Sequence, residues 1–247
     1  MNPIEQYIHD RDKQVQANIS DRDLRMATRN YTEHLVRTNY TKNYTWMGVP
    51  VLQYPGDLMV MQELIWKVKP DYIVEIGTAF GGLTVFCASV LQSIRRKGKV
   101  VAVDIEFRQH TIDLFLTHPQ ITRIIPIEGN SVLEETESKI REVIWKGRTL
   151  FILDSNHTHD HVLQELRLYS PLVSVGSYIV AFDTAIEEFG YLDKNQDRPW
   201  GKGNNPATAV KEFMKGNEEF VVDREVEQRA GITAAVGGWL KRVKEVK

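Results

Sequence analysis

Cysteine is almost missing from this chain: Cys87 is the only one in 247 residues. One thiol cannot close an intramolecular disulfide, so stability must come from a packed core, and a reducing, cytoplasmic setting is the expectation. An excess of charge of either sign is missing too. Charged residues make up 26% of the chain, yet the formal net charge is only −2, which leaves no electrostatic footprint for nucleic acid. No stretch approaches the roughly 18–20 apolar residues of a membrane span. The opening MNPIEQYIHDRDKQVQ lacks the apolar centre of a secretion signal. What the chain does have is a hydrophobic fraction of 42%, enough for one large domain.

Residues 1–45 read as polar helices with weak periodicity, suited to a cap or an oligomer contact. TWMGVPVLQYPGD (45–57) reads as a loop, with Asp57 capping a helix whose Leu58, Met61, Ile65 and Val68 share one face. Strand and helix then alternate. Strands are expected at DYIVEIG (71–77), KVVAVDI (99–105), ITRIIPI (121–127), RTLFILD (148–154) and GSYIVAFD (176–183), each followed by a helical stretch. Val/Ile-rich strands in that order imply a parallel sheet with helices on both faces, doubly wound by right-handed crossovers. After a helix at 205–214, FVVDRE and GITAAVGGWLKRV read as a terminal antiparallel pair.

Ligands of open parallel sheets sit beyond the carboxyl ends of the strands. The first such turn is EIGTAFGG (75–82). Gly77 allows a tight turn, while Gly81 and Gly82 let a ligand approach a helix start. The spacing is not that of a dinucleotide loop. Glu75 before the turn suits a cation, such as the sulfonium of S-adenosylmethionine (SAM), better than a pyrophosphate. Asp104 ends the second strand, where an acid can accept ribose hydroxyls in either SAM or NAD sites. Turn glycines and a helix-capping aspartate remain the purely structural alternative. Asn130 and Ser131, after the third strand, are placed to contact adenine or to cap a helix.

LDSNHTHDHV (153–162) gathers three histidines beside two aspartates. Asp154 and Asp183 end neighbouring strands, about 4.8 Å apart, and two carboxylates so close call for a proton or a hard cation such as Mg²⁺. The histidine spacing does not suit a zinc cage. His157, in the turn after Asp154, is the candidate general base, neutral near pH 7, with Asp154 beside it. His159 and His161 are expected to face solvent or cap.

These blocks together resemble the cephalosporin hydroxylase and rhamnosyl O-methyltransferase family of class I SAM-dependent methyltransferases. The resemblance runs from about Trp46 to the C-terminus, through WMGVPVLQYPGDLMVMQELIWKVKPDYIVEIGTAFGGLTVFCAS, HPQITRIIPIEGNSV, LDSNHTHDHVLQELRLYSPLVSVGSYIVAFDT, NNPATAVKEFM and FVVDREVEQRAGITAAVGGWLKRV. It implies a Rossmann-like, seven-stranded sheet with C-terminal antiparallel strands and an N-terminal helical extension. The expected division is a cap or oligomerisation segment at 1–55 and a SAM-binding catalytic domain at 56–247. It implies SAM at Glu75, Gly77, Thr78, Gly81, Gly82, Asp104, Asn130, Ser131 and Asp154, and a metal, often Mg²⁺, at Asp154 and Asp183. Members typically methylate hydroxyls of sugars or secondary metabolites, often as oligomers.

Three positions are neutral where the family usually carries an acid: Asn130, Asn156 and Phe182. Asn156, Glu187 or Glu188 could compensate. The acceptor is expected to be a small hydroxylated molecule, walled by Trp46, Tyr54 and a lid at 185–204. Two other activities are compatible with the residues: a SAM-binding accessory subunit without methyl transfer, and a nicotinamide-dependent oxidoreductase.

Overall fold

The computed structural model describes residues 2–95, 97–192 and 197–245. The Val/Ile-rich runs become strands β3 (Tyr72–Ile76), β4 (Lys99–Asp104), β5 (Ile124–Glu128), β6 (Thr149–Leu153) and β7 (Tyr178–Ala181). They form one sheet with β8 (Phe220–Val222) and β9 (Trp239–Arg242), in the order β5-β4-β3-β6-β7-β9-β8. The first five are parallel, and β9 runs antiparallel between β7 and β8. The chain therefore winds outward to one side of β3 and then crosses to the other, which leaves a crevice above the β3–β6 pair.

The connecting helices are α4 (Gly82–Ser93), α5 (Gln109–Thr117), α6 (Glu134–Val143), α7 (His159–Tyr169), a short α8 (Ile186–Phe189), α9 (Pro206–Phe213) and α10 (Arg224–Ala230). Helix α3 (Pro55–Val68) precedes the sheet, and α1 (Pro3–Ser20) and α2 (Arg22–Arg37) precede it in turn. Alternate sheet residues feed two cores. Ile73, Val100, Ala102, Leu150 and Ile152 pack on the α3–α4 side; Val74, Val101, Val103, Phe151 and Leu153 pack on the α6–α7 side. A strand covered on both faces needs apolar residues at every position, which is why periodicity of two is absent from these runs.

Three expectations are corrected. The segment 45–57 is not all loop: β1 (Tyr44–Trp46) pairs antiparallel with β2 (Val49–Val51). Met47 and Gly48 turn the chain with φ of 47° and 88°, the geometry of a two-residue hairpin. Asp57 does not cap α3, which starts two residues earlier. Its carboxylate is fully buried and accepts from the Ala234 N–H at 2.9 Å. GITAAVGGWLKRV is strand only over Trp239–Arg242, and FVVDRE only over Phe220–Val222, because Asp223 caps the intervening α10 through the Val226 N–H. Among the described residues no helix is long and apolar enough to cross a membrane.

Candidate active site

The β3–β6 register pairs Ile76 with Leu153, so Gly77 and Asp154 leave the sheet side by side. A Cβ on Gly77 would sit 2.2 Å from the Asp154 carbonyl oxygen, and its φ of 91° already excludes most side chains. Glycine is needed here because two strand-end turns share one space. Beyond it, Asp104 Oδ2 accepts from the Thr78 N–H at 3.0 Å, the Thr78 hydroxyl at 2.9 Å and the Ala79 N–H at 3.3 Å. The acid ending β4 thus shapes the turn after β3. Gly81 follows with φ 83°, and α4 starts there with no side-chain cap, leaving its first N–H groups open to an acceptor.

The other expected cradle residues separate. Glu75 lies one residue below the tip, 1% exposed, where the Thr84 hydroxyl donates to it at 2.6 Å. Burial holds its carboxyl well above the ordinary range, against the Thr84 bond, so burial disfavours the anion expected at the surface of the turn. Gly82 packs on the hairpin: a Cβ there would meet the Pro50 carbonyl at 2.1 Å. The Ser131 hydroxyl points inward to Glu165 Oε1 at 2.5 Å and lies 3.0 Å from His161 Nε2. Asn130 Oδ1 accepts from the Val132 N–H at 3.2 Å, in a local turn.

Asp154, His157 and Asp183 converge, their potential ligand atoms all within 4.8 Å of one another. Asp183 sits just past β7 in the left-handed region, φ 56°, a costly conformation for a non-glycine residue. His157 Nδ1 stands 2.6 Å from Asp183 Oδ2, an ion pair when the imidazole is protonated. Gln53 Nε2 donates to Asp154 Oδ2 at 2.9 Å, while its own Oε1 is buried and unpartnered. An unpartnered buried amide oxygen, Gln53 Oε1, beside two carboxylates fits a bound cation.

Electrostatics tie the same three residues together. Burial, then the charge of Asp183, hold the Asp154 carboxyl well above its usual range. Burial alone would lower His157, yet Asp183 and Asp154 push it up to about 9. Burial would raise Asp183, but the imidazolium outweighs it and holds the carboxyl low. The proton is thus drawn toward Asp154 and His157 and away from Asp183. The neutral imidazole expected from the sequence is not the resting form.

The neutral replacements have structural explanations. Phe182 is 2% exposed and packs edge-on against Trp239, ring centroids 5.8 Å apart. None of the proposed substitutes joins the cluster. Asn156 Oδ1 accepts from the Thr158 N–H and hydroxyl, Glu187 is held by Gly203 and Asn205, and Glu188 pairs with Arg29. His159 and His161 are half-buried and engaged, with Thr208 and Glu212 and with Ser131 and Glu165 respectively.

A cavity of about 330 Å³ opens onto Asp183. It is walled by Leu35, Tyr40 and Tyr54 on one side and by Phe189, Tyr191 and Trp200 on the other. Tyr54 and part of the expected lid therefore border it; positions 193–196 of that lid lie outside the described residues. Trp46 does not: its Nε1 donates to Ser89 and its ring packs on Phe86. Trp200 stacks on His157, centroids 4.9 Å apart. Sequence reading missed Gln53 and Trp200 as neighbours of the acids, since nothing local in LQYPGD or RPWGKG marks which turn each will meet.

The model of the Rhamnosyl O-methyltransferase/CmcI family matches residues 38–243. A rhamnosyl O-methyltransferase of Mycobacterium leprae (strain TN) is 31% identical over 203 residues, 80% of this chain and 82% of that protein. One of Mycobacterium bovis is 28% identical over 204 residues, 80% and 78%. Two solved structures share the fold at 18% identity and a TM-score of 0.60: an apo structure of CmcI, covering 83% of this chain and 78% of that one, and CmcI with Mg and SAM, covering 82% and 78%.

Proposed function

The chain belongs to the Rhamnosyl O-methyltransferase/CmcI family, and from that premise we propose that it transfers a methyl group from SAM to a hydroxyl of a sugar or related metabolite. The observation that carries this reading is the contact between Gly77 and Asp154. The turn that would hold the donor and the acids that would hold the acceptor are packed backbone to backbone, so donor and acceptor meet at one point. Named relatives support the same chemistry: the Mycobacterium proteins are rhamnosyl O-methyltransferases, and CmcI was solved with Mg and SAM. No observation favours the accessory-subunit or oxidoreductase alternatives.

In this reading Gly77, Thr78 and Gly81 let the donor lie close to the α4 start, and Asp104 Oδ1 takes a ribose hydroxyl while Oδ2 keeps the turn in shape. Asp154 and Asp183, with Gln53 behind them, would hold a divalent cation. When bound, such an ion supplies positive charge that acidifies an acceptor hydroxyl. His157, whose Nδ1 stands beside Asp183, takes the hydroxyl proton. The acceptor oxygen forms its bond to the methyl carbon as the C–S bond breaks, and the electron pair stays on sulfur, giving S-adenosylhomocysteine. Trp200 covers the imidazole and limits water.

The proximity of all three donors also supports His157 as a third ligand. Calorimetry of His157→Gln with Mg²⁺ separates the roles: a base leaves cation affinity within about threefold and lowers kcat, whereas a ligand loses affinity. The reading itself requires that S-adenosylhomocysteine bind the purified protein. Failure of that nucleoside to bind, with the protein folded, ends it.

A further inference from the structure

The cavity on Asp183 is uneven in charge. Lys42, Arg198 and Lys202 line its rim, and among the described residues Asp183 is the only acid in its lining. Arg198 stands over the Trp200 ring at 5.3 Å and already acts on His157 and Asp183. The two lysines are different. Lys42 comes from the turn after α2, Lys202 from the segment before α9, and both are exposed at the mouth. Two acids of α8 have partners of their own. Glu187 takes the Gly203 N–H and the Asn205 amide, with Lys202 close by, and Glu188 pairs with Arg29 of α2. Two cations brought from distant parts of the chain to one mouth focus positive potential into a half-enclosed space.

Resting on the reading above, we propose that the acceptor is an anionic sugar derivative, a monosaccharide unit carrying a carboxylate or a phosphate. Its reacting hydroxyl lies at Asp183, and its charged group sits at the rim between Lys42 and Lys202. A cavity of about 330 Å³ admits one sugar ring with its substituent and closes around it, which is the size class of small-molecule sites. The rim cations compensate the ligand's charge while the floor acid, with its cation, addresses a hydroxyl. The same lysines would contribute nothing toward a neutral sugar.

The test is calorimetry with methyl glucoside, glucuronate and glucose 6-phosphate, each with and without S-adenosylhomocysteine. The two anionic sugars are expected to bind at least about tenfold more tightly than the neutral one, with an advantage that shrinks as salt rises. The stronger of the two identifies carboxylate or phosphate as the charged group. Lys42→Glu and Lys202→Glu are expected to abolish the preference, while Lys67→Glu, on the last turn of α3, keeps it. Equal binding of neutral and anionic sugars, binding of none, or a preference that survives both charge reversals overturns the proposal. A nucleoside that fails to bind instead refutes the methyltransferase reading, and the sugar titrations without it still report on the cavity.

Discussion

His157 and Trp200 lie face to face, ring centroids 4.9 Å apart and planes 22° apart. The indole comes from the segment before α9 and the imidazole from the turn after β6, so the stack joins the cavity wall to the histidine beside Asp183. Replacing Trp200 by Ala frees the imidazole and opens it to water. Turnover is expected to fall by about one to two orders of magnitude, with S-adenosylhomocysteine affinity unchanged within about threefold. Steady-state kinetics beside calorimetry check both; full turnover in the variant would remove Trp200 from the site.

Gly77→Ala should be among the most damaging single changes. The new methyl would meet the Asp154 carbonyl at 2.2 Å, and a φ of 91° is strained for any side chain. A loss of roughly 2–4 kcal/mol is expected, together with loss of nucleoside binding. Chemical denaturation and calorimetry measure the two; a variant of native stability would mean that the turns do not share space.

Glu75→Gln should be tolerated. The native carboxyl is buried, accepts from Thr84 and is pushed toward its neutral form, so a neutral amide of the same shape keeps its acceptor atom. Affinity for S-adenosylhomocysteine and for SAM should stay within about threefold. A thirtyfold loss confined to the positively charged SAM would restore the open-anion role expected from the sequence.

Asp57 gives a pH dependence of stability. Burial pushes its carboxyl up to about 7, against bonds from Thr233 and Ala234, whereas the unfolded chain titrates near 4. The folded state binds the proton more tightly, so this contribution is fully present below about pH 4 and is lost as pH rises through about 7. Between those limits Asp57 favours folding less at each step, by a total on the order of 4 kcal/mol. Asp57→Asn should flatten that part of the stability profile in urea melts run from pH 4.5 to 8. An unchanged slope would show that Asp57 is ionised throughout.

Much of this was legible in the chain itself. Continuous Val/Ile runs punctuated by helices dictate a covered parallel sheet, because a strand buried on both faces has no polar positions to show. Gly77 and Gly81, and the acids at 104, 154 and 183, were placed at turns by where those runs stop, and the family blocks tied them to methyl transfer. What lay beyond the sequence is what each side chain meets. Glu75 and Ser131 turn inward, Gly82 admits the hairpin, Asp57 reaches Ala234, and His157 is charged by Asp183 rather than neutral. Local pattern sets where a strand ends. Only the strand order and the packing of distant segments decide which groups share a buried, weakly screened space, and that company fixes both the protons and the walls of the site.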